Sequence, residues 1–163
     1  RRSSDLEILL ESFSIWKKTK HYDPSWKIIS LGQTYEHVLL EELNIEVLGK
    51  VSLKEYANLL AKAYIGISLM VSPHPSYPPY EMLAAGIKTY TNIYDNKKSI
   101  LLSDNLVMGE AIPENIANFL IDQIKGYKID LKYNKICLDQ VDFGQGMSMN
   151  ELIINIIDEH HKI

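Results

Sequence analysis

GISLMVSPHPSYPPYEMLAAGIKTYTN, residues 66–92, decides how the chain is read. GISLMV is apolar on both of its alternating faces, the pattern of a parallel strand covered on two sides. Four prolines follow within residues 72–79. A short helix then reads from Pro79 to Ala85 and stops at Gly86, a residue suited to the left-handed backbone of a helix end. IKTYTN is the next strand. Strand, helix and strand in this order make the repeating unit of a parallel sheet.

The same alternation extends in both directions. Upstream, Ser4 and Glu7 have capping-box spacing and open a helix from Ser4 to Lys20 with an apolar face at Leu6, Leu9, Leu10, Phe13 and Trp16. WKIISLG and IEVLG are buried strands around a helix from Thr34 to Asn44, and Ser52 with Glu55 starts a further helix through Leu60 and Ala63. Downstream come a weak helix over Lys97–Leu102, a short strand over Asn105–Met108, and a helix that Pro113 opens at its first position. Ser148 and Glu151 begin a last amphipathic helix, spanning residues 147–162. Trp16 and Trp26 are expected to close the core around the first helix.

The expected fold is α/β: a Rossmann-like parallel sheet of five to six strands with helices on both faces, forming a single domain over residues 1–163. Ligands of such folds sit outside the C-terminal ends of the strands. The loops there are Gly32–Thr34, Gly49–Ser52, Ser72–Pro79, Asn92–Asn96 and Gly109–Pro113.

Composition narrows the function. The chain has 163 residues, 46% hydrophobic and 23% charged, with a net charge of −4, so a basic nucleic-acid groove is not expected. Its one cysteine, Cys137, excludes an internal disulfide framework and suits a reducing compartment. No apolar run reaches the roughly 18 residues of a membrane span. The opening RRSSDLEILL shows no signal peptide and enters a helix almost at once, which reads as a fragment of a longer protein.

The proline loop is stiff before any ligand arrives, because Pro73, Pro75, Pro78 and Pro79 fix φ. They carry no N–H, so selected amides, those of His74, Ser76 and Tyr77, remain as donors toward an anion or hydroxyl. Glu81 reads as lying in the first turn of the following helix. It either complements the helix dipole or, at the ligand edge of the sheet, accepts two hydrogen bonds from a vicinal diol such as a ribose.

These residues, GISLMVSPHPSYPPYEMLAAG with a following strand that ends TN, resemble the C-terminal, donor-binding half of GT-B glycosyltransferases. The closest likeness is to bacterial rhamnosyltransferases of the WsaF type, and it runs from the first helix to about Ile124. The resemblance implies a nucleotide-sugar donor such as dTDP-rhamnose, used in cell-surface polysaccharide synthesis. It implies that Glu81 binds the ribose, that Lys50 and Val51 meet the nucleobase, and that Ser76 and Tyr77 face the diphosphate and sugar. Arg1 or Arg2 matches a basic residue that pairs with the diphosphate. Many retaining members carry a second glutamate eight residues before the first; here Pro73 stands there. An inverting enzyme's base would belong to an N-terminal acceptor domain, as would contacts to a glycan or lipid-linked acceptor and any membrane association. The expected location is cytoplasmic, or at the inner face of the cell membrane.

The remaining constellations are weaker. His74 could donate to a diphosphate oxygen or be a surface residue. Gly32 and Gln33 are either a phosphate loop or a tight turn. Tyr77 and Tyr80 either stack on a ring of the donor or pack on the prolines. His160 and His161 point apart on a helix, and neither zinc-type Cys/His spacing nor an Asp-x-Asp pair occurs, so no metal and no cofactor beyond the donor is expected. Ser72 lacks a glycine-flanked elbow. The alternative to a transferase is a non-enzymatic doubly wound regulatory or interaction module.

Overall fold

The computed structural model describes residues 4–32, 34–70, 77–94 and 103–127. In chain order these form α1 (Ser4–Lys17), β1 (Ile28–Leu31), α2 (Leu39–Glu42), β2 (Ile45–Gly49), α3 (Leu53–Leu60), β3 (Ile65–Ser68), α4 (Tyr77–Ala84), β4 (Lys88–Asn92), β5 (Leu106–Gly109) and α5 (Pro113–Gly126). Every ladder among them is parallel. The α/β class with parallel strands and flanking helices is therefore the one read from the sequence. The single sheet of five to six strands is not: the five described strands stand in one sheet of two (β1–β2) and one of three (β3–β4–β5). Hydrophobic period marks which segments are strands, whereas pairing between them is a long-range property that period does not encode. The expected helices over Lys97–Leu102 and residues 147–162 lie outside the described residues.

The fold divides into two compact units, one gathering described residues from Arg1–Ala63 and Glu110–Leu131, the other those of Tyr64–Gly109. In the first, α1 packs on α5. Leu10 and Trp16 of α1 are buried, as are Ile116, Ala117, Phe119 and Leu120 of α5. Each of the leucine, isoleucine and phenylalanine side chains among them contributes about 1.5–3 kcal/mol when fully removed from water. α1 stops at Lys17, short of the expected Lys20, because Thr19 closes its last turn: its N–H and its hydroxyl both donate to the Trp16 carbonyl, at 2.9 and 2.8 Å. Trp16 meets Tyr22 edge-on, and Trp26 meets Tyr127 in the same way, both at 5.0 Å between ring centroids. Trp16 is buried as expected; Trp26 is half-buried.

The helix expected over Thr34–Asn44 shrinks to the single turn of α2. Tyr35 is drawn back to β1 by its hydroxyl, 2.8 Å from Ser30 Oγ. His37 Nδ1 accepts the Leu39 N–H at 3.1 Å, which starts the helix there. Asn44, with φ of 53°, ends it in the left-handed region that asparagine tolerates better than most residues.

In the second unit β4 is the central strand, with Thr89, Tyr90, Thr91 and Asn92 all buried. α4 lies on β3 and β4 through Pro79, Leu83 and Ala84. It begins at Tyr77, two residues before the expected start, because prolines are accepted in a first turn whose N–H groups have no intrahelical partner. It ends as the sequence predicts. Gly86, at φ of 76°, donates to the Leu83 carbonyl and Ile87 donates to that of Met82, both at 2.9 Å. Met82 and Ile87 then crowd Gly66 of β3, where an added Cβ would stand 2.5 Å from Met82 Sδ and 3.2 Å from Ile87 Cγ2. Glycine at position 66 is thus what lets the helix end sit this close to the strand. Gly109 of β5 similarly leaves room for the buried ring of Tyr90.

Candidate functional site

Each unit presents strand exits of the kind at which parallel α/β folds bind ligands. In the first unit the chain leaves β1 at Gly32, whose φ of 107° suits glycine. The Gly32 N–H donates to the Gly49 carbonyl at 2.8 Å, so the two exits are joined main chain to main chain. Gly49 has φ of 64°, and a Cβ there would come within 2.8 Å of Thr34 Cγ2. Lys50, exposed, and Val51, half-buried, follow directly. Gly32, Lys50 and Val51 are therefore brought together at one edge of the β1–β2 pair.

The loop closes on the capping box read from the sequence. Glu55 N–H donates to Ser52 Oγ at 3.3 Å, while Ser52 N–H and hydroxyl donate to Glu55 Oε2 at 2.9 and 2.7 Å. The Ser52 hydroxyl, and after it the Ser52 N–H, hold the Glu55 carboxyl below its ordinary pKa.

In the second unit the candidate residues are carried by α4. Tyr77, its first residue, is 71% exposed. Glu81 lies four residues on, half-buried, and so shares a helix face with Tyr77. Pro79 and Leu83 stand on the other side of the helix, while the buried Ala84, three residues beyond Glu81, borders the Tyr77–Glu81 face. Tyr80 is half-buried as well, and burial pushes its phenol above the usual value. Because α4 starts at Tyr77, Glu81 is its fifth residue, and the first turn holds no acid. The reading of Glu81 as a first-turn complement to the helix dipole is corrected accordingly, since that effect is confined to the first turn. The helix start is also poor in donors, with prolines at its second and third positions.

What secures the exit of β3 was not legible as a motif. The strand was expected to run to Val71, yet the ladder with β4 stops at the pair Ser68–Thr91. Within that last pair Thr91 Oγ1 also donates to the Ser68 carbonyl at 2.9 Å. Beyond it, the side chain of Asn92 takes over. Asn92 Oδ1 accepts the Met70 N–H at 2.7 Å, and Asn92 Nδ2 donates to the Met70 carbonyl at 3.0 Å. On its other side Asn92 pairs with Gly109 of β5 in the ladder. Thr91 and Asn92 are each 3% exposed, while their partners Ser68 and Met70 are half-buried, so these bonds are partly shielded from water.

Among the expected site residues, Gly32, Lys50, Val51, Tyr77 and Glu81 are thus placed. Arg1, Arg2, Gln33, His74 and Ser76 lie outside the described residues, as do Ser72, Cys137, His160 and His161. Among the described residues no three His, Cys, Asp or Glu side chains group so as to hold a metal ion. No helix among them is long and apolar enough to cross a membrane. A family model described as WsaF, C-terminal domain, matches residues 4–121, a span that includes every strand and strand exit described above. A search of curated proteins finds no match.

Proposed function

Because the chain belongs to the WsaF C-terminal domain family, a family of glycosyltransferase domains, we propose that it binds the nucleotide-sugar donor of a GT-B glycosyltransferase. The donor class is a dTDP-sugar, with dTDP-rhamnose the first candidate, and the pathway is bacterial cell-surface polysaccharide synthesis. Glu81 supplies the recognition: its carboxylate accepts a hydrogen bond from the 3′-hydroxyl, the one free hydroxyl on the deoxyribose of a dTDP-sugar, or from hydroxyls of the transferred sugar. The acceptor and the general base are assigned in this reading to a separate acceptor-binding domain. Lysine, arginine and backbone donors, rather than a metal ion, meet the charge of the leaving diphosphate.

The observation that carries this reading is the position of Glu81. It stands half-buried on the helix that follows a parallel strand, within the span that the family model matches. Saturation-transfer NMR of the chain against dTDP-, UDP- and GDP-sugars tests it, with the largest transfer expected from dTDP-rhamnose. Glu81→Ala is expected to weaken dTDP-sugar binding by roughly 1.5–3 kcal/mol, the range for hydrogen bonds to a charged group. No transfer from any nucleotide sugar would overturn the reading and leave a non-enzymatic interaction module in its place. Unchanged affinity in Glu81→Ala would remove Glu81 from the site.

A further inference from the structure

We propose that Asn92 is a positioning residue for the donor site, holding the exit of β3 open at a fixed spacing from β4; this rests on the donor-binding reading above. A regular parallel ladder would continue past Ser68 with backbone donors and acceptors facing each other across about 4.8 Å. Here it does not continue. The carboxamide of Asn92 fills the place of the next rung, accepting from Met70 N–H and donating to the Met70 carbonyl. A side chain inserted between two main chains sets them farther apart than a direct rung does. Direct pairing of the two strands therefore gives way to a side chain where the carboxyl ends of a parallel sheet form their ligand crevice.

Three features make this a positioning device rather than ordinary core. Asn92 is 3% exposed, and its two amide atoms are matched one donor to one acceptor, which only one rotamer of the amide satisfies. Its backbone is at the same time in the ladder to β5, so the residue cannot drift with the segment it holds. Met70 lies 22 residues earlier in the chain, so no local turn geometry would hold it there otherwise. A paired donor and acceptor on a buried side chain favours a single arrangement, because turning the amide over sets like groups against each other. α4, with Glu81, packs on β3 and β4 themselves, so a change in the spacing of those strands moves the helix that carries the carboxylate.

Thr91 supplies the control. Its hydroxyl bond to the Ser68 carbonyl lies inside the regular ladder, where backbone pairing already fixes the spacing. Thr91→Val should lower stability and leave nucleotide affinity unchanged. Asn92→Asp keeps the acceptor toward Met70 N–H and sets an oxygen against the Met70 carbonyl. It should weaken dTDP-sugar binding about 10- to 100-fold, the scale of a misplaced binding group, measured by calorimetric titration well below the melting temperature of each variant. Met70 amide exchange, slow in the parent chain, should speed up in Asn92→Asp and not in Thr91→Val. If Asn92→Asp does not fold, Asn92→Ser carries the same comparison. Equal affinity of Asn92→Asp (or Asn92→Ser) and the parent chain, or equal losses in the Thr91 and Asn92 variants, would overturn the inference. Absence of binding by the parent chain would overturn instead the donor-binding reading on which it rests.

Discussion

After β2 the chain is held by a serine and a glutamate that both stand in water; after β3 it is held by an asparagine that is 3% exposed. The first arrangement joins residues three apart and can form as soon as the helix does. The second joins Asn92 to Met70 across 22 residues and cannot form until β3 and β4 are paired. Water competes fully for the bonds of the first and only in part for those of the second. The β2 exit is thus a local device, adjustable by solvent conditions, and the β3 exit is part of the core.

The contrast can be broken most directly through Leu83, the 2% exposed residue by which α4 sits on its sheet. Leu83→Ala should cost about 2–5 kcal/mol, from lost transfer energy and the cavity left behind, read from denaturant midpoints. Ser52→Ala should cost about 1 kcal/mol, the usual loss for an N-cap. Equal losses in the two variants would remove the distinction between a solvent-held and a core-held exit. The smallest effect sharpens it. Glu55 has a folded pKa depressed by Ser52, so its contribution is complete above its unfolded pKa and is lost as pH falls through the folded one. Between about pH 6 and about pH 3, Glu55→Gln should show a shallower decline in stability than the parent chain, followed by urea midpoints at each pH.

The local devices are also the ones the sequence discloses. Ser52 and Glu55, Gly86 and Pro113 announce their roles by residue type and spacing, and each plays that role in the structure. The strands are located to within a few residues because β-rich apolar runs bounded by turn residues say where they lie. The shortening of α2 was not legible, since the apolar spacing of residues 38–43 is genuinely helical. Competition from the side chains of Tyr35 and His37 is what decides against it. The division into sheets of two and three strands has no local signal at all. Glu81 was visible as a candidate because a carboxylate after a proline loop is conspicuous. Asn92 was not, because an asparagine closing a strand reads as the start of a turn, and its partner is another element's backbone.

The pair Pro78–Pro79 has a consequence for how α4 can respond to anything that touches it. Winding the helix one turn further toward the chain start would bury both rings in a helix interior, at about 3 kcal/mol each. Recognition at this end therefore cannot proceed by coil-to-helix growth. Far-UV circular dichroism at 222 nm should stay flat through a saturating titration, and the heat-capacity change should report surface burial alone.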